Sequence, residues 1–252
     1  MKVLFWNING RSKRTITEGA NQFIFKNLVK QNSDIIVLAE YVPEACRELE
    51  ECLSNEGYVC YHSNSNGGNG NQILVAYKKE MFYSEYAFEL DTFSPDYFSL
   101  NLVDHQLKRF VVGGTRIKIG GNNLFEDFKD RRHQFDFLTD KLKDIEYPFA
   151  VLGDFNNGYF DFNKDDIEQT FAGKPRQFYS YPYIKKHAEE NGITLITPKE
   201  GFSWENSFKL DHCLFKNVTI LSANYDFSFI KDSLYKNIIG YPDHAQLLVN
   251  LK

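Results

Sequence analysis

Seven short apolar runs spread along the whole chain set the strongest constraint on its fold. They are Val3–Phe5, Ile35–Leu38, Ile73–Val75, Phe110–Val112, Phe149–Leu152, Cys213–Phe215 and Leu247–Val249. Their shortness and β-branched content predict buried strands, not helices. Between the first two, Phe23, Leu28 and Val29 share a helical face behind the acidic Glu18. A second helix is expected after Pro43, a residue suited to a first helical turn. A third, Asn123 to Asp144, spaces Leu124, Phe128, Phe135, Leu138 and Leu142 on one face and charges on the other, as a helix covering a sheet does. From Tyr58 to Arg116 the pattern changes to successive strands: Tyr58–His62, Gln72–Lys78, Tyr97–Val103 and Arg109–Arg116, with a Gly67-Gly68-Asn69-Gly70 turn between the first two. Consecutive strands on short links pair antiparallel, which counts against an all-parallel barrel or doubly wound sheet. The expected fold class is α/β, two mixed β-sheets packed together with helices outside, in one domain over residues 1–252.

Composition narrows the function. Charged residues make up 25% of the chain and hydrophobic ones 42%, which argues against disorder. A net charge of -5 argues against a protein that coats nucleic acid or an anionic membrane with its whole surface, and leaves room for a local basic patch. No apolar run reaches membrane-spanning length and no secretory signal is expected from the first residues. Cys46, Cys52, Cys60 and Cys213 show no metal or disulfide spacing, so thiols in a reducing cytoplasm are expected.

Polar residues recur where the apolar runs stop. Val3-Leu4-Phe5-Trp6 ends at Asn7, then Asn9; the second run ends at Glu40; Val111–Thr115 ends at Arg116. Ala150–Gly153 ends at Asp154, with Asn156 beyond; Phe208-Lys209-Leu210 reaches Asp211; Asp243-His244 precedes the last run. Brought together, Glu40, Asp154 and Asp243 would offer hard oxygen ligands suited to magnesium or manganese. His244 would serve as acid or base, and Asn7 and Asn156 would donate or accept without changing charge. That is equipment for metal-assisted hydrolysis of a phosphate ester. Each element alone has a plainer reading: Asn9-Gly10 as a turn, a strand-end Asp as a helix cap, Asp243-His244 as a surface pair. Their joint occurrence, in order, favours the functional one.

At these residues the sequence resembles the endonuclease/exonuclease/phosphatase superfamily, whose members include deoxyribonuclease I and exonuclease III-type enzymes. Trp6-Asn7-Ile8-Asn9-Gly10 resembles the opening motif, and Asp34–Glu40 the second, whose Glu binds the metal. Gly153-Asp154-Phe155-Asn156 resembles the Gly-Asp-x-Asn motif, Leu210–Phe215 the Asp-bearing strand, and Asp243-His244 the terminal motif. The resemblance implies a four-layer α/β sandwich. It also implies that Asn7 and Glu40 hold Mg2+ (or Mn2+) with Asp243 near it. Asp154 would position or deprotonate the attacking water, Asn156 would bind a phosphate oxygen, His244 would contact the scissile phosphate, and Asp211 would orient it.

Two positions depart from the family pattern. Thr115-Arg116-Ile117 stands where Thr-His-Leu or a Tyr-centred motif is usual, and Pro242 precedes Asp243 in place of Ser. Arg116 can fork two donors onto a phosphate, so with Asn9 it is a candidate phosphate contact, the plainer reading of Arg116 being a salt bridge to Glu40 or Asp154. Arg11, Lys13 and Arg14 favour nucleic acid as substrate, and the base-and-ring segment Lys174–Tyr183 reads either as a further single-strand-binding wall or, more plainly, as a packed aromatic loop. The alternatives are a phosphatase on a small or lipid phosphate, or a phosphate-binding module without catalysis. The sequence names no protein partner. Gly67–Asn71 lacks the Lys-Ser/Thr of a P-loop, and His62, His105, His133, His187 and His212 lack zinc spacing.

Overall fold

Strands buried on both faces read as continuous apolar runs, and the strands here behave so. A computed structural model describes residues 1–11, 13, 15–64, 70–90, 95–119, 124–159, 181–204, 208–231 and 240–252. In chain order the elements are β1 (Lys2–Asn7), α1 (Ala20–Gln31), β2 (Ile35–Tyr41), α2 (Pro43–Asn55), β3 (Tyr58–His62), β4 (Gln72–Lys78), β5 (Phe82–Glu89) and β6 (Asp96–Asp104). There follow β7 (Arg109–Arg116), α3 (Leu124–Leu142), β8 (Phe149–Tyr159), α4 (Tyr181–Glu190), β9 (Thr194–Ile196), β10 (Lys209–Lys216), β11 (Ile220–Asp226) and β12 (Gln246–Leu251). One sheet has the order β11-β12-β1-β2-β4-β3 and the other β5-β6-β7-β8-β10-β9. Both are mixed. β1–β2 and β7–β8 are parallel pairs joined through α1 and α3, and their other neighbours run antiparallel.

The sheets face each other across Val3, Phe5, Val37, Ile73 and Val75 on one side and Phe98, Leu100, Val112, Ala150 and Leu152 on the other. A second core joins Leu4, Trp6, Ile36 and Leu38 to Ile24, Leu28, Leu49 and Leu53 of α1 and α2. A third joins Phe149, Val151 and Leu214 to Phe135, Leu138, Ile184 and Ala188 of α3 and α4. The result is a four-layer α/β sandwich. Its sheets touch closely at Gly114, where an added Cβ would lie 2.5 Å from Val37 and 2.6 Å from Ile73 of the facing sheet. Leu152, fully buried between the sheets, would cost about 2–5 kcal/mol on truncation to Ala.

The structure corrects details of the sequence reading. α1 starts from Gly19 in the left-handed region, φ 80°, and not from Glu18, and its buried stripe is Ala20, Ile24 and Leu28. Phe23 and Val29 flank that stripe. Pro43 does open α2. Three strands are not expected from the sequence: β5 is an exposed edge, β9 has three residues, and β11 is a partly exposed edge. The Gly67-Gly68-Asn69 turn, Arg14, Lys174–Ser180 and the side chains of Leu124 and Phe128 lie outside the described residues.

Candidate active site

Strand register brings the polar strand ends together. Asn7 pairs with Ala39 across the parallel β1–β2 step, which sets it beside Glu40. In the other sheet Arg116 pairs with Asp154 and Asp154 with Asp211. Asn7 bridges the sheets: its Nδ2 donates to Glu40 Oε1 (3.3 Å) and Asp154 Oδ2 (3.1 Å), and its Oδ1 accepts the Asn9 amide at 3.0 Å. Glu40 sits at φ 53°, a left-handed kink within β2 where the register against β4 shifts between Leu38 and Tyr41. The loop after β1 closes over it through Gly10, whose amide donates to the Glu40 carbonyl at 3.2 Å. A Cβ at Gly10 would lie 2.2 Å from that oxygen, so only glycine fits.

Glu40 belongs to an ionic chain. Arg116 Nε lies 2.9 Å from Glu40 Oε1, an ion pair without a well-directed N–H bond. Arg116 Nη1 is 3.9 Å from Asp96, whose other oxygen is 2.8 Å from Lys118 Nζ. Burial pushes the Glu40 carboxyl up, but Arg116, Asn7, His244 and the Arg11 amide outweigh it and hold its pKa below the ordinary value. Asp96 is pushed up by burial against the pull of Lys118 and Arg116.

The other half is a buried acid and histidine cluster. His244 Nδ1 lies 2.9 Å and 3.1 Å from the two Asp211 oxygens. Asp211, Asp154 and His244 offer ligand-type atoms within 4.8 Å of one another, all buried. The Ser203 hydroxyl accepts the Leu210 and Asp211 amides, and Trp6 Nε1 donates to the His244 carbonyl at 2.9 Å. Burial opposes charge on His244, yet Asp211, Asp154 and Asp243 overcome it and push its pKa to about 10. Burial pushes Asp211 up to about 6 against His244, and raises Asp154 against His244 and Arg116. Asn156, at φ 48°, donates its amide to Asp154 Oδ1 (3.0 Å) and its Nδ2 to Asp154 Oδ2 (3.2 Å) and the Ile117 carbonyl (2.8 Å).

The structure thus brings Asn7, Glu40, Arg116, Asp154, Asn156, Asp211 and His244 into one cluster. Asp243 stands at its rim, 3.4 Å from Arg11 Nη2. Asn9 braces the loop: its Nδ2 donates to the Tyr241 carbonyl and its Oδ1 accepts from Arg11 Nε. Arg116, expected to meet a phosphate, already faces Glu40. His212 is a core group, with Nδ1 2.7 Å from the Thr197 hydroxyl and its ring against Phe155 and Tyr181. Sequence reading missed Asp96 and Lys118. The hairpin register, which pairs Asp96 with Arg116, carried the signal for the first.

The donor set suits a hard divalent cation. Among the described residues no cation forms an ion pair with Asp154, whose oxygens are met by amide donors, and Glu40, Asn7 and Asp243 add oxygen donors nearby. His244 is a poorer ligand because Asp211, Asp154 and Asp243 favour its protonated form, and an imidazolium has no free lone pair for a metal. No helix among the described residues is long and apolar enough to cross a membrane.

The sequence matches the model of the Endonuclease/Exonuclease/phosphatase family over residues 4–225. No curated protein sequence matches it. Among solved structures, the human Nocturnin catalytic domain with bound sulfate is 15% identical, at TM-score 0.68 over 100% of this chain and 94% of that one. The Bacteroides thetaiotaomicron mannosyl-6-phosphatase is 14% identical, at TM-score 0.67 over 100% and 99%. ANGEL2, a 2',3'-cyclic phosphatase, is 13% identical, at TM-score 0.68 over 99% and 94%. At these identities the likeness is one of fold.

Proposed function

We propose that this chain, which belongs to the endonuclease/exonuclease/phosphatase family, is a nuclease that uses magnesium or manganese to hydrolyse phosphodiester bonds. That it is a phosphoesterase follows from the family; the nucleic-acid substrate is the proposed part. The observation that carries the chemistry is the buried Asp211–His244 pair meeting Asp154 and Glu40 at one edge of the two sheets. The substrate class is supported by Arg11 and Lys13, exposed on the loop that leaves β1 beside Asp243.

Glu40, Asn7 and Asp243 would hold the cation, which supplies charge stabilisation for the phosphoryl oxygens. With Nδ1 on Asp211 and its pKa near 10, His244 is an imidazolium at neutral pH. It is therefore a proton donor, through Nε2, toward a phosphate oxygen or leaving group, and not the base. Asp154, whose proton affinity burial has raised, is the group placed to orient an attacking water and take its proton. The Asn156 side-chain amide donates to Asp154 and to the Ile117 carbonyl, so its part is to hold Asp154 in place.

The second reading, a phosphatase on a small phosphate, is favoured by one observation: Arg11 is partly neutralised by Asp243 in a chain of net charge -5. A substrate panel separates the two. Bis(p-nitrophenyl) phosphate, a single-stranded oligonucleotide and a sugar monophosphate are assayed at two salt concentrations, with magnesium or with EDTA. The nuclease reading expects magnesium-dependent oligonucleotide cleavage that weakens with salt. Monophosphate turnover without oligonucleotide cleavage would replace it with the phosphatase.

A further inference from the structure

Arg131 of α3 is among the largest fully buried side chains of the protein, with 0% of its surface exposed. A guanidinium is expensive to remove from water, and it is normally buried with its donors satisfied. Here they are not. Nη1 donates to the Asn156 carbonyl, and Nη2 lies 3.1 Å from Asp127 Oδ2 one helical turn away. Yet Nε and Nη2 make no well-directed hydrogen bond. Burial accordingly lowers the guanidinium's pKa, against the pull of Asp127 and Asp154. A side chain chosen for stability alone would be apolar at this position.

What Arg131 holds is a strained point of the site. Asn156 is in the left-handed region, φ 48°, and its amide and side chain clasp Asp154. One turn along α3, Gln134 donates through Nε2 to the Lys118 carbonyl (3.0 Å) and accepts the Lys118 amide on Oε1 (2.8 Å). Lys118 lies two residues beyond Arg116, at the end of β7. A single helix face, Arg131 and Gln134, therefore grips the chain just past the end of β7 and within β8 through backbone atoms.

We infer that Arg131 and Gln134 are positioning residues: α3 clamps the backbone at Asn156 and Lys118, and thereby fixes Asp154 and Arg116 for the phosphoester chemistry. The inference rests on the hydrolytic reading of the site, but the clamp itself has a readout that needs no turnover. Neither residue touches substrate. Both act through main-chain atoms, so their loss misplaces groups without removing them, and a misplacement near 1 Å costs about 10²-fold in rate.

The test compares the full-length protein with Arg131→Met/Asp127→Leu, which removes both buried charges together, with Arg131→Lys and with Gln134→Met. Replacing a buried ion pair by apolar groups is often neutral for stability, so the double variant is expected to keep the wild-type melting temperature. Amide hydrogen exchange at Asn156 should rise while exchange at Val151 in the same strand stays slow. With bis(p-nitrophenyl) phosphate and magnesium, kcat should fall by about 10²-fold with KM little changed. Arg131→Lys, which still offers a donor to the carbonyl, should recover part of the loss. If the double variant does not fold, the exchange and kcat of Arg131→Lys and Gln134→Met decide the matter. A folded variant with wild-type exchange at Asn156 and wild-type kcat overturns the clamp. If the wild type itself hydrolyses no phosphate ester, the functional reading fails, and the exchange result still judges the clamp.

Discussion

The two halves of the site handle charge in opposite ways. Around Glu40, acids alternate with cations in the sequence Glu40, Arg116, Asp96, Lys118, and the Glu40 carboxyl is held ionised. Around Asp154, two buried carboxyls share one imidazole and are both pushed toward protonation, while His244 is driven to hold its proton. The first half keeps the Glu40 charge fixed; the second raises the proton affinity of two carboxyls and of the imidazole between them. The cause is the partner, not the depth. Glu40, Asp154 and Asp211 are all buried, but of the three only Glu40 has a guanidinium within ion-pair distance among the described residues. Burial raises a carboxyl's proton affinity, and the sum of cations and hydrogen-bond donors around it decides whether that rise survives: at Glu40 it does not, while at Asp96 beside Lys118 and Arg116, and at Asp211 beside His244, it does.

The largest effects should fall on the proton-handling half. His244→Ala and Asp154→Ala should each lower kcat by about 10²–10⁴-fold with circular dichroism near wild type, and His244→Ala should melt lower because it leaves Asp211 buried without its partner. A folded His244→Ala with a near-native rate would remove the imidazolium from the mechanism and erase the contrast. Next comes the fixed-charge half: Glu40→Gln should weaken magnesium binding, read by calorimetry, by about tenfold or more. Unchanged binding would move the metal onto the Asp154 cluster. Arg116→Lys keeps the charge but cannot reach Glu40 and Asp96 together, so kcat/KM should drop about tenfold, the scale of one charge-assisted bond. Equality with wild type in both KM and kcat would deny Arg116 any role in bracing or phosphate binding.

Smaller effects sharpen the comparison. Folded His244 keeps its proton up to about pH 10, whereas its unfolded value is 6.5. Between those values the native state binds more protons than the unfolded one, so its contribution to stability is full below pH 6.5 and is lost as pH rises toward 10. In EDTA the melting temperature should decline by a few degrees over that window, and His244→Gln should flatten the decline. An identical slope in both proteins would mean that the imidazolium is not stabilised by Asp211. Smallest of all, Arg11→Ala/Lys13→Ala should reduce the salt dependence of oligonucleotide binding, by about 0.7–0.9 in log–log slope for each phosphate no longer neutralised. Hydrolysis of the minimal diester should stay the same, and an unaltered slope would place the cations that meet nucleic acid elsewhere.

Much of this architecture is legible along the chain. Apolar runs bounded by Asn7, Glu40, Arg116, Asp154 and Asp211 are local signals: a strand buried on both faces must be apolar along its length, so a polar residue at its boundary stands out. The edge strands β5, β9 and β11 escaped for the same reason, because edges open to water need no continuous apolar face. The sequence by itself thus determined the mixed sheets, the helices that cover them and the order in which the site residues arrive. Only the tertiary structure decided how those residues are charged and held. That Asn7 spans the two sheets to Asp154, that Arg116 meets Glu40, and that Arg131 reaches the Asn156 carbonyl depend on strand register and layer packing. Those pairs join different strands and helices, up to 147 residues apart for Asn7 and Asp154. No local periodicity encodes such a distance; it is fixed when the two sheets close on Gly114 and the helices settle over them.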